Sequence, residues 1–343
     1  MLEQLVRRRY WWFAFSLVMI LPGLYFLLVH PLVTTGRFSV GLRPSIDFAG
    51  GALWELRFPD YAPGEVGTDA LSSAFATSGF ENVQVQLSQA TTLDNQEIAA
   101  ALVRTQALDA ANPNAQIDAV TAALEAEFTN VERVRLESVG PTVSQESTRS
   151  AVIAVFGASL IILIYLTWAF RKAPHPVRYG VSAIISMLHD VLIVLGVASI
   201  MGTFFNLEVD ALFLTALLTI LSFSVHDTIV VFDRIRENLI NRRPGEVFDD
   251  IVNHSIVQTL PRSINTQLTT MFTLTALLLF GGETIRYFVA ILLVGLIIGT
   301  YSSIFNAAQI LVVWENREWR QWFRRGPQER EPVTVNYSGG HNH

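Results

Sequence analysis

The chain has 343 residues, 51% of them apolar and only 16% charged, with a mean hydropathy of +0.38. Soluble domains usually carry about 25% charge, so lipid is the expected solvent for much of this chain, and disorder, collagen and coiled coil are excluded. The absence of cysteine removes disulfides, Fe–S clusters, thiolate zinc sites and cysteine nucleophiles, and a net charge of −6 leaves no global footprint for nucleic acid.

A membrane-crossing helix needs about 20 mostly apolar residues. Stretches at 11–29, 150–170, 181–201, 211–232, 266–280 and 287–314 qualify, which predicts an α-helical polytopic membrane protein with six transmembrane helices. The fifth is short and is expected to begin near Arg262; the sixth is long, which predicts tilt or an interfacial end. The first is long for a signal-peptide core and no A-x-A site follows it, so it reads as an uncleaved anchor. Lys and Arg are retained on the cytoplasmic side. Arg7, Arg8 and Arg9 precede the first stretch, Arg171, Lys172 and Arg178 lie between the second and third, Arg234, Arg236, Arg242, Arg243 and Arg262 between the fourth and fifth, and Arg317, Arg320, Arg324 and Arg325 follow the sixth. The alternate short loops hold only Arg286, so both termini are expected in the cytoplasm.

The expected organisation is a cytoplasmic N-terminus and first helix at 1–30, an extracytoplasmic α+β domain at 31–147, the second to sixth helices at 148–316, and a cytoplasmic tail at 317–343. Within the outer domain, 53–58 alternates as a strand, with Trp54, Leu56 and Phe58 on one face and Glu55 and Arg57 on the other. Thr68 is expected to cap a short helix that Gly79 ends. Val83, Val85 and Leu87 alternate again, and 98–105 is ambiguous between strand and helix. The segment 117–128 reads as a helix presenting Ile117, Val120, Ala123, Leu124 and Phe128, and 131–138 as a last strand. The order β-α-β-β-α-β predicts a small ferredoxin-like sandwich, a fold that names no activity.

Ionisable groups inside a bilayer are costly and need an explanation. Asp190, beside His189, lies in the third stretch; His226 and Asp227 lie in the fourth, with Ser222 and Ser224 on the approach; Asp233 and Arg234 close it. Arg262, Asn265 and Thr266 open the fifth. Depth alone allows Asp190, Asp227 and Arg262 to meet. Desolvation favours a neutral carboxyl and a nearby guanidinium a charged one, a balance that suits proton exchange at Asp227. The other reading is a static Asp–Arg pair that holds helices together. His226 is a candidate relay, but one helical step turns it about 100° away from Asp227, and His189 stands likewise to Asp190.

The charged run 233–238 reads as a helix end with i,i+3 and i,i+4 pairs, or as a docking segment. The glycine-rich stretch 41–51 around Asp47 reads as a shaped junction or an ion-binding turn, and the terminal His341 and His343 as part of a disordered tail rather than a metal pair. No Walker, G-x-S-x-G, H-E-x-x-H or dinucleotide motif occurs, so neither an enzyme nor a cofactor is expected.

Four segments carry a resemblance. Ser45-Ile46-Asp47-Phe48-Ala49-Gly50-Gly51, Val139-Gly140-Pro141-Thr142-Val143, the run from His226-Asp227-Thr228-Ile229-Val230-Val231 through Phe232-Asp233-Arg234-Ile235-Arg236-Glu237-Asn238, and Arg262-Ser263-Ile264-Asn265-Thr266 follow one another in the order of the hallmark segments of the SecF family. SecF is a subunit of the bacterial export accessory complex SecDF. The resemblance implies half of a resistance–nodulation–division type transporter in the bacterial cytoplasmic (inner) membrane. It implies a SecD-like partner, with room for further accessory membrane subunits, and use of protons to assist preproteins through the SecYEG channel. By resemblance, Asp227 and Arg262 take the family's proton-conducting positions and Asp190 a secondary polar one, with His226 beside them. Asp47, Gly50, Gly51, Gly140, Pro141, Asp233 and Arg234 take structural positions in the motifs. Ser45, His226 and Gln267 depart from the commoner Gly, Asn and Ser. Competing readings are a half-transporter for lipids or small molecules and a passive scaffold of the translocon.

Overall fold

Backbone polar groups in lipid have to be satisfied within the chain, which turns long apolar runs into helices. The computed structural model describes residues 4–36, 39–91 and 96–318 and is mostly helical with one small sheet. Among the described residues, five helices are long and apolar enough to cross a membrane: Val6–Thr34, Pro141–Ala169, Pro176–Phe205, Ala211–Ile240 and Ile285–Glu315. Two compact units emerge, Pro44–Ile153 and the remainder of the chain on either side of it.

The chain enters through helix α1 (Arg9–Leu24), passes a π turn at Tyr25–Val29, and continues as α2 (His30–Thr35), which Gly36 closes in the left-handed conformation at φ 67°. The backbone then returns along this helix: Gly41 N–H donates to the Leu27 carbonyl at 2.7 Å, and the Gly41 carbonyl accepts from Ser199 Oγ at 2.7 Å.

The second unit starts with the short helix α3 (Ile46–Ala49), capped by Ser45, whose hydroxyl accepts from Asp47 N–H. Gly51 opens β1 (Gly51–Phe58) at φ +119°, and a Cβ there would lie 2.7 Å from the Thr105 carbonyl oxygen. The stretch around Asp47 is thus built as a turn into the sheet. There follow α4 (Thr68–Thr77), β2 (Gln84–Thr91), β3 (Glu97–Thr105), α5 (Pro113–Glu127) and β4 (Glu132–Val139). The sheet order is β2-β3-β1-β4, and every pairing is antiparallel. The ambiguous 98–105 segment is a strand because it lies between β1 and β2 and bonds to both; that pairing overrides the helical preference of Ala99–Ala101. Thr68 does not cap α4: Gly67 holds the extended N-cap position, and Thr68 is already inside the helix. Trp54, Leu56 and Phe58 face the core with Leu71, Phe75, Val120, Leu124 and Phe128, whereas Ile117 and Ala123 are only partly buried. Trp54 Nε1 donates to Thr105 Oγ1 at 3.1 Å inside that core.

Pro141 begins α6 (Pro141–Ala169). After it come α7 (Pro176–Phe205), α8 (Ala211–Ile240), α9 (Phe248–Phe280) and α10 (Glu283–Ser302), which runs through a π turn at Ser303–Ala307 into α11 (Ala308–Glu315). The buried face of α7 is rich in small residues, Gly180, Ser182, Ala183, Ser186, Gly196, Ala198 and Ser199, which let neighbouring backbones approach. The stretch expected as the fifth membrane helix lies in α9, a 33-residue helix outside the five apolar ones; its first half is polar, and its apolar end is interrupted by threonines. The tail with His341 and His343 lies outside the described residues, as do Arg320, Arg324 and Arg325.

Candidate functional site: two buried carboxylates on membrane-length helices

Asp190 and Asp227 are both shut away from solvent, at 0% and 2% exposure. Helical spacing explains their separate surroundings: Ser224 and Asp227 are three residues apart on the buried face of α8, one turned to α7 and α10, the other to α9.

Asp190 is fully engaged. Its Oδ2 accepts from Ser224 Oγ at 2.5 Å and from Ser302 Oγ at 2.6 Å, and its Oδ1 lies 2.9 Å from His189 Nδ1. Ser186 Oγ donates to the Ser302 carbonyl, so α7, α8 and α10 meet in one polar knot. Gly299 makes the meeting possible: a Cβ there would come within 3.3 Å of Ser224 Cβ.

Among the described residues Asp227 has a single hydrogen-bond donor, the Nε2 of Gln267 on α9, at 2.6 Å from Oδ2. Gln267 is itself 3% exposed, and among the described residues its Oε1 has no partner. Ser263, one turn earlier and 2% exposed, has a hydroxyl with no partner among the described residues. By contrast Thr259, Thr266, Thr269, Thr270 and Thr273 on the same helix each bond a carbonyl of the preceding turn.

The expected meeting of Asp190, Asp227 and Arg262 does not form. Arg262 is exposed, and among the described residues it makes no ion pair with Asp227. The reason is rotational: Arg262 falls on the side of α9 with exposed Asn265 and Thr266, while Ser263 and Gln267 occupy the buried face. His226 is exposed, as its one-residue offset from Asp227 requires, and Ser222 is exposed as well. Asp233 pairs with Arg236 at 2.7 Å and Arg234 with Glu237 at 2.7 Å, the pattern of a charged helix end. Asp47, Gly50 and Gly51 lie at the entry to β1, and Gly140 and Pro141 at the start of α6.

Two features escaped sequence reasoning. Gln267 stands out there only as an unusual residue after the Arg-Ser-Ile-Asn-Thr run, and nothing local marks it as the donor to Asp227. Arg9, read as a topology signal, is buried: its Nη1 lies 3.1 Å from Asp249 Oδ2, and its guanidinium also pairs with Glu318, which accepts from Tyr10 Oη at 2.8 Å. Asn316 Nδ2 donates to Asp249 Oδ1 at 2.6 Å. Partners more than two hundred residues apart leave no mark in spacing.

Long apolar helices, a small α+β unit in the chain between the first two of them, and carboxylates buried on membrane-length helices define a polytopic membrane protein of the transport class. Residues 119–317, more than half the chain, match the family model of the protein export membrane protein SecD/SecF, C-terminal. Protein translocase subunit SecF of Thermobaculum terrenum is 45% identical over 328 residues, covering 95% of this chain and 98% of the relative. That of Anaerolinea thermophila is 46% identical over 328 residues, covering 93% and 96%. The crystal structure of SecDF, a translocon-associated membrane protein from Thermus thermophilus, is similar with a TM-score of 0.70 and 31% identity, over 91% of this chain and 38% of that longer one. The chain belongs to the SecF family of protein translocase subunits.

Proposed function

We propose that the chain is the SecF half of a proton-driven accessory complex that assists preproteins across the bacterial inner membrane through the Sec channel, with Asp227 as its proton-carrying group. The observation that carries this reading is the setting of Asp227: a carboxylate buried on a membrane-length helix and held by one neutral amide rather than by an ion pair. A structural carboxylate is better served by the surroundings of Asp190, where two hydroxyl donors and the His189 ring converge. A group that loads and unloads a proton needs fewer commitments.

The surface of α9 supports a SecD-like partner. Its exposed side carries Arg262, Asn265, Thr266 and Thr269 among the apolar Ile264 and Leu268, a mixed surface whose polar groups are unsuited to lipid tails and suited to the helices of a second subunit. Arg262 would act on Asp227 from that face. The SecDF relative, of which this chain spans 38%, supports a partner of comparable kind. We read α9 as the remaining membrane helix. Arginines cluster at both ends of the helical unit, before α1 and after α11, and an even number of spans puts both clusters on the cytoplasmic side. The unit containing the β2-β3-β1-β4 sheet then lies outside the cytoplasm, and its order is that of a ferredoxin-like fold.

The test is proton-gradient-dependent preprotein export in inverted membrane vesicles, comparing wild type with Asp227→Asn at matched levels of this chain and its partner. Loss of the gradient-dependent component with the complex assembled is the expected result. Unchanged export would make Asp227 structural and favour a passive scaffold.

A further inference from the structure

Among the described residues, the side-chain oxygen of Gln267 is buried without a partner. A primary amide has a donor end and an acceptor end of nearly the same size. Here the donor end meets Asp227 at 2.6 Å, while the acceptor end is buried without a partner, next to helix positions where a side chain reaches back over the turn that carries Ser263. Ser263 offers a hydroxyl that can either donate or accept, and it too is buried and unbonded. Leaving buried polar atoms unsatisfied is costly in a static site, and Ser263 and Gln267 share the buried face of α9, one turn apart.

We infer that Gln267 is a positioning residue that follows the protonation of Asp227, offering its amide N–H to the carboxylate and, turned end over end, its amide oxygen to the acid. The inference rests on the reading of Asp227 as the proton-carrying group. In the charged state Nε2–H donates to Oδ2, and Oε1 is free to accept from the Ser263 hydroxyl. When a proton arrives on Asp227, its new O–H donates to Oε1, and the Nε2–H turned away is taken up by the Ser263 oxygen. The amide neither gains nor loses a proton; the proton stays on Asp227 until it leaves, and the hydrogen bonds reverse. The other ionisable groups around Asp227 are His226 on α8 and Arg262 on α9. On α7, Asp190 is engaged by Ser224 and Ser302; on α10, Tyr301 donates to the Trp12 carbonyl; at the end of α11, Glu315 pairs with Arg178.

The experiment is pH-difference infrared spectroscopy on the full chain assembled with its SecD-like partner in lipid vesicles, alongside proton flux. The carbonyl band of protonated Asp227 is identified as the one lost in Asp227→Asn. Gln267→Leu removes both ends of the amide, so the band is expected to move to the frequency of a free acid and flux to fall roughly tenfold, the worth of one hydrogen bond to a charged group. An unmoved band would mean that Gln267 bonds only the carboxylate, and would overturn the inference while leaving Asp227 as the proton carrier. Absence of any band or flux sensitive to Asp227→Asn would instead overturn the underlying reading. If Gln267→Leu fails to assemble, Gln267→Met, equally without donor or strong acceptor, gives the same comparison. Ser263→Ala should leave the acid band in place but slow flux, because the turned amide loses its second partner.

Discussion

Gly23 on α1 and Gly196 on α7 stand back to back, so close that a Cβ on Gly196 would lie 2.5 Å from Gly23 Cα and one on Gly23 2.7 Å from Gly196 Cα. Helices in lipid gain most of their association from such close packing. Alanine at either position is therefore expected to push α1 off α7 and to lower stability by about 1–3 kcal/mol, the usual cost of overpacking. Thermal unfolding in detergent checks this. The double variant should cost less than the sum of the two, because both relieve one contact.

The buried Arg9 anchors α1 to α9 and to the segment after α11 through Asp249 and Glu318. Arg9→Met would strand two buried carboxylates and is expected to cost about 3–5 kcal/mol. Neutralising Asp249 and Glu318 in the same chain should recover most of that loss. The ranking should survive high salt, since buried charges are little screened. Unfolding midpoints at low and high salt give the answer.

Asp190 and Asp227 are expected to separate by phenotype. Asp190→Asn puts an amide N–H2 where two hydroxyl donors converge, and should destabilise the bundle by about 1–3 kcal/mol. Asp227→Asn disturbs one hydrogen bond and should unfold nearly as wild type while losing gradient-driven export. Thermal stability and vesicle export, measured on both variants, would show opposite rankings.

In the small unit, Trp54 fills the space between β1 and the helices and donates to Thr105. Trp54→Ala should cost about 3–5 kcal/mol, and Trp54→Phe far less. Hydrogen exchange should rise across β1 and β3 while the protection of α7 and α8 holds, which would localise the damage.

Much of this architecture is legible from residue order alone, because burial in lipid and in a half-exposed sheet imposes simple periods. The apolar runs marked α6, α7, α8 and α10, the alternation of 53–58 marked β1, and the helix containing Val120 and Leu124 follows its 3.6-residue rhythm. The presence of carboxylates at 190 and 227 inside such runs was equally plain, since charge in an apolar stretch is visible without coordinates. The tertiary structure alone decided what each carboxylate touches. Depth along a helix can be counted, but rotation about its axis and the choice of neighbour cannot. It is rotation that turns Arg262 outward and brings Gln267 onto Asp227, and helix packing that places Ser302 beside Asp190. The ambiguous 98–105 segment and the burial of Arg9 have the same physical origin: both are settled by partners far away in the chain, strands β1 and β2 in one case and Asp249 and Glu318 in the other.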